Sequence, residues 1–135
     1  MSQALFCYGT LLVPEVMQAV TGQRFPGQPA RLPGYVCEAL QGEAFPGIRP
    51  RQDAVTEGRV FTGLGERDLR RLDAYEGKLY LRQSLELMLD NNEIRTAWVY
   101  VLAPAQYPRL SGQAWDLAHF RRRHLANYLA RLNGH

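Results

Sequence analysis

Lysine is almost missing from this chain. Lys78 is the only one, and arginine makes up nearly all of the 16 basic residues, which outnumber 13 acidic ones for a net charge of +3. So mild an excess suits attraction of anionic metabolites, whereas a nucleic-acid surface would need basic charge gathered along one face and interleaved with aromatics. The densest group, Arg121-Arg122-Arg123, fits a solvated helix surface, and no nucleic-acid partner is expected. Cysteine is also scarce. Cys7 and Cys37 both lie in apolar, strand-like runs, which argues against a disulfide framework and for a reducing, cytoplasmic setting. No apolar run approaches the roughly 20 residues that span a bilayer, and the amino terminus lacks the basic start and long apolar centre of a secretory signal, so no membrane partner is expected. Three histidines and two distant cysteines show neither H-x-x-x-H nor C-x-x-C spacing, and no phosphate-binding G-x-x-x-x-G-K-[ST] or dinucleotide-binding G-x-G-x-x-G run occurs. Neither a metal nor a cofactor is implied.

What is present is enough for a core. At 135 residues, 46% hydrophobic and 21% charged, the chain has the size and balance of one domain, 1–135, burying roughly two-thirds of its unfolded surface. Ala4 to Tyr8 is apolar and bulky, as in a short buried strand. Pro14 is suited to the first turn of a helix that carries Val16, Met17 and Val20 on one face and stops at Gly22. The pairs Pro26-Gly27, Gln28-Pro29 and Pro33-Gly34 predict repeated breaks ahead of a strand from Tyr35 to Leu40, and Phe45-Pro46-Gly47-Ile48-Arg49-Pro50 predicts a stiff, irregular loop lying on the body or lining a pocket. Strands follow at Val55 to Phe61, Leu79 to Leu89 and Ile94 to Ala103, the last apolar on both faces and therefore central. Between the first two, Glu66 to Tyr75 has helical spacing, with Gly77 to end it. A final helix is predicted from about Leu117 to Leu132 after an Asp116 N-cap, with His124 among its apolar arc and His119 facing away. Strands in hairpin-like succession with peripheral helices predict an α+β fold, a small mixed β-barrel or sheet.

Two stretches point to chemistry. In the first, Phe6-Cys7-Tyr8-Gly9-Thr10-Leu11, an apolar strand stops at a glycine shortly before a helix. The backbone amides released there form a natural receptor for a carboxylate or a polarised carbonyl. In the second, the periodicity of the short helix puts Glu76 between Leu69 and Leu72 on the core-facing stripe. A glutamate in that position either bends out to water at the helix end or sits in a partly dry site with a raised pKa.

The words FCYGTLLVP and Leu72-Asp73-Ala74-Tyr75-Glu76-Gly77, followed by Tyr80 and Arg82, resemble the paired motifs of the gamma-glutamylcyclotransferase-like (AIG2-like) family. The likeness runs from Phe6 to about Leu102 and leaves the C-terminal helix unmatched. It implies the family's small β-barrel with flanking helices and a small-molecule γ-glutamyl substrate. It assigns Tyr8, Gly9, Thr10, Leu11 and Tyr80 to substrate binding and Glu76 to acid/base catalysis.

The implied chemistry needs few groups. A γ-glutamyl amide carries its own nucleophile, an α-amine that closes on the γ-carbonyl to give 5-oxoproline and a free amine, so no serine or cysteine nucleophile is required. A rival pairing of Cys7 with His119 or His124 is disfavoured by the strand-like burial of Cys7. The other reading is a non-catalytic small-molecule binding module of the same fold.

Overall fold

The computed structural model describes residues 3–133. Five strands close into a barrel: β1 (Gln3–Cys7), β2 (Gly27–Ala39), β3 (Pro46–Leu64), β4 (Tyr80–Leu89) and β5 (Ile94–Leu102), in the spatial order β1-β3-β2-β4-β5. Every pairing is antiparallel except the closing one, in which Leu5 and Phe6 of β1 run parallel to Trp98 and Val99 of β5. The β2–β4 seam is short, with Ala30 paired to Leu89 and Arg31 to Met88.

Alternation along each strand divides the apolar residues between two compartments. Phe6, Leu32, Ile48, Val60, Leu87 and Val99 fill the barrel interior. Leu5, Cys7 and Tyr100 face outward instead, under α1 (Pro14–Thr21), α2 (Glu66–Glu76) and the C-terminal helices. β1 and β5 contribute to both compartments. Over residues 4–7 and 97–102 they are therefore apolar on both faces, as expected for β5.

Gly58 permits the tight crossing of β3 over β1. A Cβ there would come within 2.1 Å of the Cys7 carbonyl oxygen and 2.9 Å of the Phe6 ring.

Three predicted features differ. The proline-rich approach to Tyr35 is unbroken strand, because β2 runs from Gly27 to Ala39. The supposed loop at 45–50 is also largely strand, with Pro46 through Pro50 opening β3 and pairing with Ala39 through Tyr35. Proline is tolerated at the first residue of a strand and beside irregularities. Pro46 occupies the former position. Pro33 and Pro50 flank the latter, where pairing jumps from Pro33–Val55 to Tyr35–Pro50 and residues 51–54 bulge out.

The third difference is the C-terminal helix, which bends at His124 into α3 (Leu117–Arg123) and α4 (Leu125–Asn133). Hydrogen bonds bridge the bend, from the His124 amide to Phe120 and from the Tyr128 amide to His124. Eight residues of straight helix would separate Phe120 from Tyr128 by about 12 Å along the axis. The bend instead brings their rings to 5.3 Å, edge to face, with Phe120 fully buried. His124 is consequently exposed rather than in the core, and its ring meets that of His119 at 5.4 Å instead of facing away from it. Asp116 does cap α3, accepting from the Ala118 amide at 2.9 Å. Arg121, Arg122 and Arg123 are exposed, as expected, and His135 lies outside the described residues. No helix is long and apolar enough to cross a membrane.

Candidate functional site

At the end of β1 the chain leaves the barrel through Tyr8 and Gly9 into a 3₁₀ turn, Thr10–Leu12, followed at once by α1. Gly9 is required by proximity. A Cβ at this residue would stand 3.0 Å from the Pro46 ring, tighter than side chains ordinarily pack. Within the turn the amides of Leu12 and Val13 donate back to Gly9 and Thr10, at 3.0 and 3.1 Å. The first amides of a helical turn have no partner inside it, and those of Thr10 and Leu11 make no hydrogen bond among the described residues.

The turn borders a cavity of about 120 Å³. Facing the turn across it is the last turn of α2, with Tyr75 and Glu76, while Tyr80 of β4 and Tyr100 of β5 complete the wall on the barrel side. All six residues singled out from the sequence line this one space: Tyr8, Gly9, Thr10, Leu11, Glu76 and Tyr80.

Two carboxylates one helical turn apart have opposite electrostatic settings. Burial alone would raise the Asp73 carboxyl. Hydrogen bonds from Arg82 (2.8 and 3.2 Å) and the Tyr100 hydroxyl (2.7 Å), together with the Arg82 charge, outweigh burial and hold it below its usual value. Arg82 in turn lies over the Trp98 ring, 4.4 Å from its centroid. This cluster explains the spacing of the second motif, because Asp73 and Arg82 bind the end of α2 to β4.

Glu76 has no such support. Its carboxyl makes no hydrogen bond among the described residues, and desolvation pushes its pKa up to about 8. The residue is half-buried by exposure. Glu76 lines the cavity, and desolvation of its carboxyl there penalises the charged form. No lysine or arginine lines the cavity; Arg109, outside it, is held by Glu43 at 2.8 Å.

The tyrosines are neutral donors. Burial first, then neighbouring tyrosines and Glu76, raises the Tyr8 and Tyr80 hydroxyls far above their usual range. Burial likewise raises those of Tyr75 and Tyr100. Tyr8 donates to the Tyr100 carbonyl at 2.6 Å and Tyr80 to the Pro46 carbonyl at 2.5 Å. The Cys7 thiol is raised well above its ordinary value by burial and by Glu76 and is buried, a setting opposite to that of a nucleophilic thiolate. Neither His119 nor His124 lines the cavity.

Several lining residues gave no sequence signal of a site. Tyr75 and Tyr128 sit on apolar helical arcs and Tyr100 on an apolar strand, where a tyrosine looks like any core aromatic. Of the segments 46–52 and 107–115, only Pro46 reaches the cavity, beside Phe45.

The barrel and its flanking helices have the cyclotransferase fold. The family model described as Gamma-glutamyl cyclotransferase, AIG2-like matches residues 5–117, and the chain belongs to that family. It is 32% identical over 130 residues to Protein AIG2 B of Arabidopsis thaliana, covering 96% of this chain and 76% of the relative. An Arabidopsis thaliana protein solved in solution superposes with a TM-score of 0.75 at 29% identity, over 99% of this chain and 81% of that one. A structure titled gamma-glutamyl cyclotransferase shares the fold, with a TM-score of 0.68 at 16% identity, over 98% of this chain and 86% of that one.

Proposed function

We propose that the protein is a cyclotransferase acting on γ-glutamyl amides, releasing 5-oxoproline and a free amine, with Glu76 as general acid/base. The observation that carries this reading is the Glu76 carboxyl, unpaired and with a pKa raised to about 8, facing a turn of free amides across a small cavity. An acid/base whose pKa lies near working pH is well matched to exchanging protons with an amine.

The substrate's α-carboxylate is received by the Thr10 and Leu11 amides, since no basic side chain lines the cavity to take it. Its α-ammonium brings Glu76 the positive charge that the site lacks, favouring the ionised carboxylate. Glu76 then takes one ammonium proton, and the neutral amine nitrogen attacks the γ-carbonyl carbon. A C–N bond forms, and the carbonyl oxygen takes on negative charge. Glu76 returns its proton to the leaving nitrogen as the old C–N bond breaks and the carbonyl re-forms, then takes the second proton from the ring nitrogen and passes it to the freed amine, which departs as its ammonium ion. Folding the glutamyl chain into its five-membered closure supplies much of the acceleration, as orientation catalysis does. Tyr8 and Tyr80, whose hydroxyls are committed to backbone carbonyls, shape the walls that enforce this folding.

The test is mass-spectrometric detection of 5-oxoproline from a panel of γ-glutamyl amino acids, γ-glutamyl amines and glutathione, using the wild type beside Glu76→Gln. Release by the wild type is expected, with roughly a 10²- to 10⁴-fold loss in the variant, the usual contribution of general acid–base catalysis. Near-normal turnover by Glu76→Gln would remove the mechanism. Tight binding without turnover by the wild type would instead favour a non-catalytic binding module, and free glutamate as product a hydrolase.

A further inference from the structure

The cavity's hydroxyl groups are not all equivalent. Tyr8 and Tyr80 donate to backbone carbonyls, and Tyr100 donates to the Asp73 carboxylate. The remaining three hydroxyls form a chain: Thr10 Oγ1 lies 2.7 Å from the Tyr75 hydroxyl, which is hydrogen-bonded in turn to that of Tyr128. Three hydroxyls joined by two hydrogen bonds have one hydrogen unspent. That hydrogen lies on Thr10, Tyr75 or Tyr128 according to the direction of the two bonds.

Tyr128 is also the only lining residue, among those described, supplied by an element outside the barrel, the amide turn and the segment from α2 to β4. It comes from α4, beyond the family-matched residues 5–117. Its ring is set edge-on against Phe120 at 5.3 Å and against Tyr75 at 6.5 Å, so its position follows from the bend at His124. The cavity of about 120 Å³ is small, and Tyr128 forms its wall on the α4 side, so a group that extends from the γ-amide nitrogen toward α4 meets this ring.

We propose that Tyr128 is the specificity-determining residue for the leaving amine, its ring setting the size admitted. This rests on the cyclotransferase reading above. The intact chain and its Tyr128→Ala, Tyr128→Phe and Tyr128→Trp variants are assayed on γ-glutamyl amides whose amine grows from methylamine to benzylamine. kcat/KM is taken from 5-oxoproline release, and affinities are measured by calorimetry with each Tyr128 variant combined with Glu76→Gln.

Tyr128→Ala should raise the bulky-to-small ratio of kcat/KM by about tenfold or more, the scale on which pockets discriminate alkyl groups. Tyr128→Trp should lower the ratio, and Tyr128→Phe should keep it, since the ring is retained. Loss by one common factor across all amides in Tyr128→Ala would show a merely structural role and overturn the assignment while leaving the cyclotransferase reading intact. A shifted ratio of affinities without turnover by the wild type would keep Tyr128 and overturn the reaction. Neither turnover nor binding anywhere in the series overturns both.

Discussion

Glu76 and Asp73 stand three residues apart on one helix and are driven in opposite directions. Asp73 is ionised because Arg82 and Tyr100 bind its charge, whereas nothing binds that of Glu76, whose pKa rises to about 8. This has a consequence for stability. In the unfolded chain Glu76 titrates at the ordinary carboxylate value of about 4.3. Between that value and about 8 the folded state therefore holds more protons than the unfolded one, and the unfolding free energy falls as pH rises through this window. Glu76→Gln removes the penalty. The variant should match the wild type near pH 4 and exceed it by on the order of a few kcal/mol above pH 8, measured by denaturant unfolding across the range. A gap that fails to grow with pH would show that the carboxyl is not desolvated. In the enzyme assay, kcat/KM of the wild type should climb toward a midpoint near 8, the pKa of the free protein's base, and this limb should vanish in Glu76→Gln.

At the scale of elements, the site depends on how α2 is fastened. Leu72, fully buried, anchors its inner face, and the Asp73–Arg82 pair ties its last turn to β4. Asp73 is substantially exposed, so the pair contributes little to global stability, as partly solvated ion pairs usually do. Its effect is positional, because Tyr100 and the last turn of α2 both depend on it. Arg82→Met should change unfolding free energy by about 1 kcal/mol or less. It should lower kcat more than it raises KM, since the loss concerns where Glu76 stands; an unchanged kcat would dismiss the fastening role. Leu72→Ala, by contrast, should cost about 2–5 kcal/mol by opening a cavity in the core. Strand crossing sets a stricter limit. With the Cys7 carbonyl oxygen 2.1 Å from where a Cβ would be, Gly58→Ala must push β1 and β3 apart and should destabilise by several kcal/mol, on the order of a severe overpacking substitution. Recovery of a wild-type melting temperature by that variant would contradict the crossing geometry.

For the whole molecule, closure of the barrel rests on a brief parallel contact, Leu5 with Trp98 and Phe6 with Val99. β1 has no free edge, so its amides should exchange with solvent only by global unfolding, with protection equal to the most stable in the protein. Earlier exchange in β1 than in β2 would show that the barrel opens there first. Much of this architecture is legible along the chain. Alternation and turn residues marked the strands at 55–61 and 94–102, α1 between Pro14 and Gly22, and the α2 that ends at Gly77. Glu76 on the apolar stripe of α2 was visible too, because helical periodicity is a local property. The proline-bearing strands were not visible, since whether Pro33, Pro46 and Pro50 break a ladder depends on where the partner strand bulges. Nor was the bend at His124, which brings the Phe120 and Tyr128 rings together. Local sequence thus settled most of the strand and helix segments and which acid lies on a buried face, through propensity and period. The meeting of the amide turn with Glu76, the raised pKa and the arrival of Tyr128 from α4 depend on the packed fold alone, because the contacts that build the site join residues 53 and 65 positions apart in the chain.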